Sequence, residues 1–191
     1  MNICVFCSSS NAIDRAYFDA ARTLGEIMAA RGDTLVYGGA DIGLMGTVAQ
    51  AVKTGGGTVV GVMPTVLTEK RIVFDEADEF VTTRDMRERK AVMTERSDAF
   101  VVLPGGFGTL EELAEVLTLR QIGEHEKPIV LLNTQGYYDP LVSLFEHFYR
   151  EHFAHPWRDC YHLVTDVGGV FRYLDSYSPM PAPSKLPSPE T

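Results

Sequence analysis

Three stretches of this sequence place small and hydroxyl residues where an apolar run gives way to a helical pattern. They are Cys7-Ser8-Ser9-Ser10-Asn11, Tyr37-Gly38-Gly39-Ala40-Asp41-Ile42-Gly43-Leu44-Met45-Gly46, and Leu103-Pro104-Gly105-Gly106-Phe107-Gly108-Thr109-Leu110-Glu111-Glu112. Glycine lets backbone N–H groups approach an anion with no Cβ in the way, and a following helix N-terminus adds partial positive charge. In an open parallel sheet all such junctions lie at the carboxyl ends of strands, where ligands bind. Two glycine-rich loops and a serine-rich third point to a phosphate-bearing ligand. A dinucleotide fits poorly, because its glycine fingerprint follows the first strand and is answered by an acidic residue about 20 residues on. Here the first loop holds serines and no glycine, and the second strand runs into Tyr37-Gly38-Gly39. Gly106-x-Gly108-x-x-Glu111 also puts Glu where the third glycine belongs, and no Gly-Lys-Ser/Thr run offers a Walker A loop.

Two charged positions carry the next question. In Asp85-Met86-Arg87-Glu88-Arg89-Lys90-Ala91-Val92-Met93, the two methionines lie seven apart on one helical face. Arg89 and Lys90 fall between them, where a core-facing stripe is normally apolar. Either this is a solvated helix whose cationic stems snorkel outward, or Arg89 lies on the ligand rim as a counter-charge. Glu112 is equally open. Thr109-x-x-Glu112 matches a capping box, which accounts for the carboxylate structurally. A carboxylate beside a phosphate loop is also well placed against a ribose.

The elements that position these residues follow from hydrophobic periodicity. Strands are expected at Ile3–Cys7, Thr34–Tyr37, Thr58–Val62, Phe80–Thr82, Ala99–Leu103, Ile129–Leu132 and His162–Val164. Helices are expected at Asp14–Arg31, Gly43–Thr54, Asp85–Arg96, Leu110–Ile122, Tyr138–Phe153 and Val167–Tyr173, with Pro64–Asp78 irregular. This alternation predicts an α/β, Rossmann-like three-layer fold, a central parallel sheet flanked by helices. Residues 1–177 are expected to form one domain, and the proline-rich residues 178–191 a disordered tail. The formal net charge of −9 argues against nucleic acid as a partner. No secretory leader pattern and no apolar run of membrane-spanning length is visible, so no membrane partner and a cytoplasmic location are expected. Cys4-x-x-Cys7 sits inside a strand pattern that points the two thiols to opposite faces, against a metal or redox pair there.

The block Pro104-Gly105-Gly106-Phe107-Gly108-Thr109-Leu110-Glu111-Glu112 resembles the P-G-G-x-G-T-x-x-E motif of the Lonely Guy family. Members of that family are cytokinin riboside 5′-monophosphate phosphoribohydrolases, often mislabelled lysine decarboxylases. Met86-Arg87-Glu88-Arg89-Lys90 is similar to the family's M-x-x-R-K element, and the two earlier loops resemble its other rim loops. The likeness covers essentially residues 2 to 175, and departs at Arg87, where many members carry His. The resemblance implies hydrolysis of a nucleoside 5′-monophosphate, AMP or an N6-substituted AMP, with Arg89 and Glu112 catalytic. It implies that Gly105, Gly106, Gly108 and Thr109 hold the 5′-phosphate, with Phe107, Leu110 and Glu111 in the same block. Ser8, Ser9, Gly39, Met86 and Lys90 are expected on the rim, and Glu69 and Glu115 as weaker contacts. An apolar pocket for an N6 substituent is open to Met45, Met86 or Met93, although such spacing also suits a core. No metal or other cofactor is implied, and a homodimer is. The alternative is a non-catalytic nucleotide or molybdenum-cofactor carrier on the same fold.

Overall fold

The computed structural model describes residues 1–68, 72–154 and 160–180. Its first half runs β1 (Asn2–Phe6), α1 (Arg15–Arg31), β2 (Thr34–Tyr37), α2 (Gly43–Thr54), β3 (Thr58–Pro64), α3 (Thr65–Thr68), β4 (Glu79–Thr83) and α4 (Met86–Glu95). The second runs β5 (Ala99–Val102), α5 (Phe107–Gln121), β6 (Ile129–Leu132), a 3-10 turn (Thr134–Gly136), α6 (Asp139–Arg150), β7 (His162–Val164) and α7 (Val167–Ser176). The strands form one seven-stranded sheet in the order β4-β3-β2-β1-β5-β6-β7. Every pairing between them is parallel, which makes this the Rossmann-like fold the alternation predicts.

The sheet is buried on both faces, which explains its near-continuous apolar strands. Within β1, Ile3 and Val5 pack on one side with Leu24 and Met28 of α1, Leu44 and Val48 of α2, and Val170 of α7. Cys4 and Phe6 face the other side, with Met93 of α4 and Leu113 and Val116 of α5. Cys7 joins the first cluster and Cys4 the second, so the two thiols do point to opposite faces. Local signals set the helix ends. The Asp14 carboxylate accepts a hydrogen bond from Ala16 N–H at the start of α1, and Gly32 closes that helix in the left-handed conformation at φ 71°.

Four boundaries differ from expectation by more than one residue, one of them the end of α7, which runs to Ser176 and not Tyr173. β3 continues through Pro64, and α3 follows within the stretch read as irregular. Pro64 lies beyond Gly61, the last residue of β3 in register with β2, so its missing N–H falls outside that ladder. α5 begins at Phe107, three residues before the expected Leu110, because the helix is entered directly from glycine without a side-chain cap. α6 stops at Arg150. The chain builds outward from β1 to β4 in one direction and from β5 to β7 in the other. That reversal, between β1 and β5, is where an open α/β sheet leaves a crevice at its carboxyl edge.

Candidate active site

The loops leaving β1 and β5 flank this crevice and are tied together, Ser8 N–H donating to Pro104 O at 3.2 Å. Between them lies a cavity of about 530 Å³, lined from β1 by Val5, Cys7, Ser8, Ser9 and Ser10 and from α5 by Gly106, Phe107, Gly108, Thr109 and Glu112. The serine loop holds itself in shape: Ser8 Oγ accepts from Ser10 N–H at 3.0 Å, and Ser10 Oγ from Ala12 N–H at 3.1 Å.

The two helix N-termini beside the cavity are not equivalent. In α2, Gly43 N–H donates to Asn11 Oδ1 at 2.9 Å and Leu44 N–H to Ser8 O at 2.9 Å. Those donors are used by the protein. In α5 the N-cap is Gly106, and no side chain caps the helix. A Cβ built on Gly106 or Gly108 meets nothing within 4 Å, so packing does not require glycine at either position. What remains is an open first turn with N–H groups and a positive dipole end facing the cavity, an anion cradle. The expected capping box does not form. With the helix starting at Phe107, Thr109 is its third residue and Glu112 lies a turn further in.

Glu112 is instead buried, 9% exposed, and so is Arg89 at 7%. The Asp85 carboxylate starts α4 by accepting from Arg87 and Glu88 N–H, which places Arg89 one turn inside the helix. Its Nη1 donates to Glu112 Oε1 at 2.7 Å, and its Nε to Val62 O at 3.0 Å. The outward-snorkelling reading of Arg89 is therefore overturned: its guanidinium is spent on a carboxylate and a strand carbonyl inside the protein. Burial raises the carboxyl pKa of Glu112, and the Arg89 charge and hydrogen bond oppose that rise. Cys7 shares the cavity, and burial holds its thiol pKa well above the ordinary range, which favours the neutral thiol.

The other expected residues divide. Ser8, Ser9, Met86, Gly106, Phe107, Gly108 and Thr109 line the cavity. Gly105 lies behind it, where a Cβ would overlap the Thr109 hydroxyl. Gly39 does not line it either: at φ +76° it packs against Phe80 and Met63, so its glycine serves the backbone and the packing. Lys90, its side chain largely buried, pairs with Glu111 and Glu115 across α4 and α5, so these three clamp helices and do not line the cavity. Leu110 belongs to a neighbouring groove with Tyr137 and Tyr138. Glu69 lies outside the described residues. Of the three methionines weighed for an apolar pocket, Met45 and Met86 line the cavity, while Met93 is core at 1% exposure. Sequence reasoning missed Gly38, Ile42, Met63, Leu67 and Ile72 as lining residues. Leu67 and Ile72 lie within Pro64–Asp78, the stretch read as irregular, and no periodicity marks them.

A larger groove, about 610 Å³, runs between α1 and α2 past Arg22, Glu26, Thr47 and Gln50. It lacks an open helix N-terminus, since the α2 donors are already used. Among the described residues, no group of three His, Cys, Asp or Glu side chains is arranged to hold a metal ion, and no helix is long and apolar enough to cross a membrane.

Fold and site together define a Rossmann-like protein whose switch-point cavity combines an anion cradle with a buried Arg–Glu pair. The family pattern described as "possible lysine decarboxylase" matches residues 45–174. The chain is 46% identical over 179 residues to the probable cytokinin riboside 5′-monophosphate phosphoribohydrolase LOGL9 of Oryza sativa subsp. japonica, covering 93% of this chain and 79% of that one. It is 49% identical over 180 residues to cytokinin riboside 5′-monophosphate phosphoribohydrolase LOG1 of Arabidopsis thaliana, covering 93% and 84%. The chain belongs to this family, the Lonely Guy phosphoribohydrolases. Among solved structures, the molybdenum cofactor binding protein of Rippkaea orientalis superposes with a TM-score of 0.70 at 23% identity, over 92% of this chain and 95% of that one. At that identity the likeness is one of fold.

Proposed function

We propose that this chain hydrolyses the N-glycosidic bond of a nucleoside 5′-monophosphate, AMP or an N6-substituted AMP, to free base and ribose 5-phosphate. The observation that carries the reading is the buried Arg89–Glu112 pair, opening on the same cavity as the uncapped N-terminus of α5. The 5′-phosphate sits on the N–H groups of the first turn of α5, with the Thr109 side chain beside it. As the bond from C1′ to the base nitrogen breaks, positive charge builds on the ribose, as in other glycoside cleavage. The Glu112 carboxylate, held on one oxygen by Arg89, balances that charge. Water forms the new C1′–O bond, and its proton leaves with the base. Arg89 keeps Glu112 oriented and adds a cation for the nucleotide. Apolar Ile42, Met45, Met63 and Met86 suit a base carrying an alkyl group, consistent with cytokinin activation.

A homodimer is proposed from the family resemblance, with the exposed Phe107, Leu110 and Phe148 available to a second copy. A cytoplasmic location is proposed from three buried cysteines that form no disulfide. The carrier alternative explains an anion cradle but gives no use to a desolvated Arg–Glu pair.

Base release from AMP and from N6-isopentenyl-AMP tests the reading, with Glu112→Gln and Arg89→Ala alongside. Release by the wild type, lost in both folded variants, supports it. Tight nucleotide binding with no release from either substrate refutes it in favour of a carrier.

A further inference from the structure

The loop after β2 brings Gly38 to the cavity wall, although Gly38 is no part of a helix N-terminus. Its φ lies outside the left-handed region, so the backbone does not require glycine there. Space does. A Cβ built at 38 overlaps Arg89 Nη2 and comes within 3.1 Å of Met45 Sδ. An arginine tip on a surface could swing aside, but this one is fixed by Nε on Val62 O and Nη1 on Glu112 Oε1. Moving it breaks at least one of two buried hydrogen bonds of a charged group.

We infer that Gly38 is a positioning residue, whose missing side chain is the space that lets the Arg89 guanidinium lie against Glu112. The glycines on the cavity wall then divide by task. Gly106 and Gly108 leave room for a ligand, whereas Gly38 leaves room for a catalytic side chain. Its effect on rate rests on the phosphoribohydrolase reading, but its effect on the Arg89 side chain does not.

The test is a double-mutant cycle built from Gly38→Ala and Arg89→Ala, with Arg89→Lys and Gly38→Ala/Arg89→Lys added. Base release, AMP affinity by calorimetry and thermal unfolding are read on each protein. Misplacing the guanidinium by about 1 Å is expected to lower kcat/KM about a hundredfold in Gly38→Ala. Once Arg89 is truncated, the same change at 38 is expected to alter neither unfolding temperature nor AMP affinity. The slimmer lysine head should likewise tolerate a methyl at 38, so Gly38→Ala/Arg89→Lys should melt with Arg89→Lys. Wild-type kcat/KM in Gly38→Ala, or an equal fall in unfolding temperature in the wild-type and Arg89→Ala backgrounds, overturns the inference. If Gly38→Ala alone does not fold, recovery of folding in Gly38→Ala/Arg89→Ala supports the inference, and failure to recover overturns it. If the wild type releases no base, the functional reading fails, while the unfolding cycle still reports on Gly38.

Discussion

Replacing Gly108 by alanine separates a glycine kept for a ligand from one kept for the fold. Gly108 is the second residue of α5, and a Cβ there meets no protein atom within 4 Å. Alanine in place of glycine in a helix lowers the entropy of the unfolded chain, so a gain of about 0.5–1 kcal/mol is expected. For a domain of this size that is a rise of about 1–4 °C in unfolding temperature. The new methyl is not neutral toward a ligand. Cβ atoms lean toward the helix N-terminus, which here is the cavity side. A phosphate displaced by that methyl loses at least one charge-assisted hydrogen bond, about 1.5–3 kcal/mol, so KM should rise about tenfold to a hundredfold. Differential scanning fluorimetry and AMP hydrolysis on the same preparation check both halves. A more stable protein with unchanged KM refutes the placement of the phosphate on α5. A less stable one refutes the claim that the position is empty.

Two further outcomes follow from the site. Because the Glu112 carboxyl pKa is raised by burial, a step that needs its carboxylate should fail, as pH drops, at a value above the ordinary glutamate pKa of about 4.5. The same shift means the folded state loses stability as pH rises from that ordinary value through the folded one. A pH–rate profile whose acid limb sits at or below about 4.5 contradicts this assignment. Lys90→Gln removes the tie from α4 to Glu111 and Glu115, and with Glu111 and Glu115 partly solvated the loss is expected to be about 1 kcal/mol. Urea unfolding measures that loss. KM for AMP should stay within about twofold, and a tenfold rise would return Lys90 to the substrate contacts.

Much of the fold was legible because its signals are local. Among the described residues, alternating apolar runs and amphipathic stretches located the seven strands and every α-helix but α3, and Asp14 marked the start of α1. The site was legible only as a set of neighbours. Arg89 and Lys90 are adjacent, equally cationic and on the same short helix, yet one lines the cavity and the other ties α4 to α5. The difference is 23 residues away in Glu112, which periodicity cannot weigh. The capping box misled for a related reason. Thr109-x-x-Glu112 has the right letters, but Gly106 already begins the helix, so Thr109 stands at its third position. Glycine-rich loops alone do not say which glycines face the cavity, because the smallness of Gly38, Gly39 and Gly105 is demanded by protein neighbours.

One helix carries both the anion cradle and Glu112, and it therefore acts as a ruler. Thr109 and Glu112 are three residues apart on one face of α5, about 4.5 Å along its axis. Neither group can shift relative to the other without unwinding the helix. On the proposed placement, a phosphate seated on the first turn would measure out where a sugar must be cut. A 5′-diphosphate anchored by its outer phosphate would carry its ribose past the carboxylate, and a nucleoside with no phosphate would have nothing to hold it at the mark. Selection for monophosphates would in this sense be a property of helix pitch.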